Sequence, residues 1–119
     1  MKHFVLLFRQ GNRDLSTEEQ KQRGEEIRAW AEHAVAEGWN PKPHTLGKES
    51  YRLGPQGEIA PGQTNGDKQI LVLLFIEASD FKEAVAIAKA HPAMRYGSDV
   101  EVREWTAPPP LGPPQTPAR

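Results

Sequence analysis

Gln69–Ala78 reads QILVLLFIEA, and its seven consecutive apolar residues, Ile70 to Ile76, decide the fold class. Val72 and Ile76 are β-branched, Phe75 is aromatic, and the turn-forming stretch Gly62–Lys68 comes just before, so the segment reads as a buried strand. A strand sends alternate side chains to opposite faces, which puts Ile70, Val72, Leu74 and Ile76 on one side and Leu71, Leu73 and Phe75 on the other. Both faces of this strand therefore need cover.

Working outward, Lys2–Gln10 repeats the pattern, with Phe4, Leu6 and Phe8 on one face and Val5 and Leu7 on the other. After a turn at Gly11–Asp14, Ser16 followed three residues later by Glu19 forms a capping-box signature that opens a helix. Ile27, Trp30, Ala31, Ala34 and Val35 recur at helical spacing as one apolar stripe, and the helix runs to about Glu37, where Gly38 stops it. Gly24 inside it costs about 1 kcal/mol relative to alanine. His44–Leu53 is expected to be an edge strand with few apolar residues, and Gly54–Lys68 an exposed hairpin-like connection. Beyond the decisive strand, Asp80 caps a second helix, with Glu83 completing the box, Phe81, Ala84, Val85 and Ala88 facing inward, and Pro92 marking the end. Ser98–Trp105 is a final strand, with Val100 and Val102 on one face and Asp99, Glu101, Arg103 and Trp105 on the other.

The order strand, helix, strand, strand, helix, strand is the ferredoxin-like βαββαβ pattern of an α+β domain. Right-handed crossovers put both helices on one face of a four-stranded antiparallel sheet, with the first and third strands central. Those are the two segments that are apolar on both faces. The helix-free face would then carry a large apolar patch, so a second copy of the chain is the expected cover, in a two-fold homodimer that packs sheet on sheet. The domain is expected over residues 1–106. From Ala107 onward, six prolines in thirteen residues give a tail, 107–119, that is disordered or extended, either inert or a ligand for an aromatic groove.

Fifteen Lys and Arg against sixteen Asp and Glu leave a net charge of -1, which argues against nucleic acid or an anionic membrane as partner. The absence of cysteine removes disulfides and thiolate chemistry. The apolar run at the N-terminus, Phe4 to Phe8, is too short for a signal peptide or a membrane span, and the expectation is a soluble cytoplasmic protein. No glycine-rich phosphate loop, dinucleotide fingerprint or nucleophile elbow occurs, so no cofactor is expected. The four histidines, His3, His33, His44 and His91, lack the spacing that brings two rings together on one element, which argues against a metal site.

The candidate site residues are His91, Arg9, His44, Tyr51, Tyr96 and Arg103. His91, at the end of the second helix, is either a cation that complements the helix dipole or a catalytic acid or base. Arg9 ends a central strand with the parity of Val5 and Leu7, so it either pairs with a carboxylate such as Glu101 or holds an anionic ligand. Tyr96 packs a turn or offers a hydroxyl to a pocket. His44, Tyr51 and Arg52 either sit in solvent on the second strand or rim a pocket. Trp30 and Trp39 are expected to pack in the core and at the helix end.

The run His91–Trp105, HPAMRYGSDVEVREW, together with KHFVLLFRQ, the helix ending AEGW, LGKES and FIEASDFKEAVAIAKAHP, resembles the YCII-related family, particularly its Asp-Gly-Pro-Phe branch. The resemblance covers about residues 2–105, in order, and its most specific part is His-Pro followed by Tyr-Gly and Val-Glu-Val-Arg. It implies a dimeric α/β barrel of ferredoxin-like subunits. It implies no single activity: some YCII-like members carry a histidine and an aspartate in a cleft and are suspected enzymes, and one relative is associated with removing chloride from a chlorinated aromatic compound. This chain departs from both patterns. It reads APGQTNGDK where the branch signature would stand, it has no histidine early in the first helix, and it has His91 where the enzyme-like relatives place an aspartate before proline. No catalytic residue is carried over. Three functions stay open: a homodimeric protein that binds a small organic molecule in a barrel cleft, a cofactor-independent enzyme for a small carbonyl or aromatic substrate with His91 as proton carrier and Arg9 or Arg103 holding an anion, and a regulatory protein-interaction module.

Overall fold

In a computed structural model of the chain, residues 1–11, 13–59 and 69–107 are described. Strand β1 (Lys2–Arg9) lies antiparallel to β5 (Ile70–Ala78), with Phe4 opposite Ile76, Leu6 opposite Leu74 and Phe8 opposite Val72. On its other edge β1 pairs with β6 (Val100–Glu104), and β5 pairs with β2 (Lys42–Thr45), so the sheet order is β2-β5-β1-β6. The two strands with apolar residues on both faces are the central pair. With helices α1 (Thr17–Ala36) and α2 (Phe81–Lys89), this is an α+β arrangement consistent with a ferredoxin-like fold. A 3-10 turn, Pro92–Tyr96, leads from α2 toward β6. The proline tail, apart from Ala107, and the stretch before Gln69 lie outside the described residues.

One face of the sheet carries the core. Phe4, Leu6, Phe8, Leu74 and Ile76 meet Trp30 and Ala34 from α1 and Ala84, Ile87 and Ala88 from α2 in one buried cluster. Phe4, Leu6 and Ile76 are its largest fully buried side chains, and each contributes roughly 1.5–3 kcal/mol by leaving water. The opposite face holds Val5, Leu7, Leu73 and Phe75, all half-buried.

Local signals act largely as the sequence implies. Ser16 Oγ accepts the Glu19 backbone N–H at 3.1 Å, and Glu19 Oε1 accepts the Ser16 N–H at 3.0 Å, which closes the capping box. At the other end Trp39 N–H reaches Ala34 C=O and Gly38 N–H reaches Val35 C=O, the paired bonds of a Schellman ending. Gly38 supplies the φ of +82° that this ending needs.

Several expectations need correction. The edge strand is Lys42–Thr45 rather than 44–53, because its pairing with β5 uses backbone alone and needs no apolar side chains. Leu46 N–H donates to Leu71 C=O, so by the two-residue period the nitrogen of Pro43 falls on the outer edge, where no donor is required. Arg52–Gly54 (β3) instead pairs with Gly57–Ile59 (β4) in a separate hairpin. In α2, Phe81 faces inward as expected, edge-on to the buried Phe4 at 5.4 Å between ring centroids, but stays partly exposed; Ile87, which the stripe omitted, is buried, and Glu83 closes onto the Ser79 N–H (2.6 Å) one residue before the cap. Val35, at 66 % exposure, lies at the solvent edge of the α1 stripe.

Candidate functional site

The two helices meet the sheet differently. Helix α2 packs directly on β1, β5 and β6, whereas α1 leans chiefly on the 3-10 turn. The stripe of α1 therefore stands off the β2–β5 side of the sheet, and a cavity of about 430 Å³ lies between them. Ile27, Trp30 and Ala31 wall it on the helix side, and Phe8, Val72 and Leu74 on the sheet side, with Pro43 and Thr45 at the β2 edge. That volume falls in the range of small-molecule pockets, and the mainly apolar lining with a few polar groups is what such pockets use.

His91 lines this cavity from the segment that follows α2. It is 6 % exposed, and its ring packs 4.5 Å from that of Phe8 and 4.6 Å from that of Trp30. Nδ1 accepts the Ala93 backbone N–H at 3.1 Å, so His91 caps the start of the 3-10 turn. This corrects the expected cation at the end of α2. An accepting Nδ1 is unprotonated, which leaves the ring neutral with its proton on Nε2. Burial first, and the Arg95 cation second, lower its pKa to about 4. Nε2 makes no hydrogen bond among the described residues. The ring thus offers the cavity a donor and no free basic lone pair.

Trp30 stands beside it, 9 % exposed, and its indole Nε1 is buried with no hydrogen-bond partner among the described residues. The remaining polar lining is Arg9, Arg23, Thr45 and Ser98, and none of the described residues around the cavity is acidic.

Tyr96 is a positioning group outside this cavity. Its hydroxyl donates to Glu26 Oε2 at 2.8 Å, and the same carboxylate pairs with Arg95, which ties α1 to the 3-10 turn. Those two donors hold the Glu26 carboxyl below its ordinary pKa, while burial and the Glu26 contact raise that of Tyr96. Arg13 lies 6.0 Å from the Tyr96 ring centroid and bonds Glu19 at 3.1 Å.

The other sequence candidates do not converge on one place. Arg9 Nη2 pairs with Glu101 Oε1 at 3.1 Å on the open sheet face, as its parity implied, and Arg103 lies 3.6 Å from the other oxygen of Glu101. His44 stands edge-on to Phe75 on that face, 5.4 Å between ring centroids, and Phe75 meets Trp105 at 5.9 Å and Trp105 meets His3 at 5.1 Å. Tyr51 is 71 % exposed, beside Glu49, and Arg52 begins the separate hairpin. His91 and Arg9 line the cavity, although the Arg9 guanidinium is engaged by Glu101. Sequence reading missed Arg23 and Thr45. Arg23 lies four residues before Ile27 and seven before Trp30, on the same helical stripe, and that spacing was the available signal.

Among the described residues there is no cluster of three metal-ligating side chains and no helix long and apolar enough to cross a membrane. No protein-family model matches the chain, and no curated protein gives a significant match.

Proposed function

We propose that this chain is a small homodimeric YCII-related protein that binds a small organic molecule in the cavity between α1 and the sheet. The observation that carries the reading is the cavity itself, about 430 Å³ with an apolar lining and a buried imidazole held as a hydrogen-bond donor. Freshly purified protein under native mass spectrometry should carry an adduct of small-molecule mass. Ala31→Trp, which fills the space from the helix side, should remove that adduct while circular dichroism stays unchanged. Loss of the fold rather than of the adduct would count against a preformed site.

The dimer rests on the open face. Val5, Leu7, Leu73 and Phe75 are contiguous across β1 and β5, and the row His44, Phe75, Trp105 and His3 extends them. Soluble monomers rarely leave such a patch in water. Each side chain covered by a second copy contributes up to about 1.5–3 kcal/mol before the cost of association. Two copies packed through this face would form the dimeric α/β barrel that the family resemblance implies.

A second reading, a cofactor-independent enzyme with His91 as proton carrier, has the place of His91 in the cavity wall in its favour. The bond from Ala93 to Nδ1 stands against a base, since the neutral ring then has no acceptor for the cavity.

A further inference from the structure

Among the described residues, Arg23 is a cation without a counter-ion. On a helix its natural partners are the carboxylates three and four residues away, Glu19 and Glu26. Both are engaged elsewhere: Glu19 bonds Arg13 at 3.1 Å and the Ser16 N–H at 3.0 Å, and Glu26 holds Arg95 and the Tyr96 hydroxyl. Among the described residues Arg23 makes no hydrogen bond or ion pair, and its side chain lines the cavity. Seven residues separate it from Trp30, two turns of one helix face or roughly 10 Å of rise, with Ile27 between them.

The cavity therefore has, at one end of an apolar wall, an arginine with no partner among the described residues and, near the other, a fixed imidazole donor, with no acidic group among the described residues that line it. Such a site repels cations, gives a neutral hydrocarbon no partner for its donors, and matches an acceptor-rich head on an apolar body. A guanidinium takes a carboxylate in a bidentate fork. We propose that the cavity takes a small organic carboxylate, an apolar one- or two-ring body whose carboxylate pairs with Arg23 and whose body lies along Ile27 and Trp30. This names the ligand class and rests on the cavity being a binding site.

The test uses two matched probes, 1-naphthylacetate and its neutral amide, titrated into the full ¹⁵N-labelled chain while the Trp30 indole N–H is followed. The acetate should bind about ten-fold or more tightly than the amide, the size of one charge-assisted contact. Its advantage should shrink as salt is added. Arg23→Gln, a conservative change at a helix position tolerant of glutamine, should bring the two affinities within about two-fold and leave the amide unaffected. Equal affinities in the unaltered protein, or an acetate preference that survives Arg23→Gln, would overturn the carboxylate assignment while leaving the cavity a binding site. No movement of the Trp30 indole signal with either probe at millimolar concentration would overturn both.

Discussion

His91 Nδ1 accepts the backbone N–H of Ala93 at 3.1 Å, and this bond makes a histidine the first residue of a turn rather than the last charge of a helix. A buried acceptor cannot carry a proton and keep that bond.

Protonating His91 should therefore destabilise the protein. Its folded pKa, about 4, lies below the ordinary 6.5, so the unfolded chain binds the extra proton first. Stability from this group is complete above pH 6.5 and falls as pH drops toward 4, by about 3 kcal/mol in all. Urea midpoints measured across that range should show the slope, and His91→Asn, which can still cap the turn, should flatten it. Glu19 and Glu26, with lowered pKa values, add their losses only below the ordinary carboxylate range.

Tyr96→Phe should lower stability measurably, because it leaves one oxygen of the part-buried Glu26 without its hydroxyl donor. Arg95→Ala, at an exposed guanidinium on the same carboxylate, should cost less than Tyr96→Phe. Equal losses in chemical denaturation would mean that the charge, rather than the buried hydroxyl, joins α1 to the 3-10 turn.

At the ends of α1, Ser16→Ala should cost about 1 kcal/mol through the lost cap. Gly38→Ala should cost about 1 kcal/mol through the positive φ, since an added Cβ there meets no described residue within 4 Å. Thermal melts of the two single variants and the double variant should show additive losses, as expected of distant sites.

The central strands were legible because burial on two sides writes an unbroken apolar run, as in Ile70–Ile76 and Phe4–Phe8. The start of α1 was legible because its cap is a contact between residues three apart. Strand β2 was not, because Lys42–Thr45 joins the sheet by backbone bonds and shows no apolar pattern. Nor was the cavity: Trp30 and Ile27 carry the stripe of any core-facing helix, and only the way α1 rests on the 3-10 turn opens a space beneath them. The role of His91 depends on Phe8 and Trp30, distant in sequence, which take its ring out of water.

The open face carries the proposed dimer, and Leu73→Glu probes it at the centre of the patch, opposite Leu7 on β1. The deciding measurement is the native mass of the unaltered chain and of Leu73→Glu by sedimentation equilibrium from one to a hundred micromolar. A homodimer through this face gives twice the chain mass for the first throughout most of that range and a folded single chain for the second. A single-chain mass for the unaltered protein at the highest concentration would contradict it.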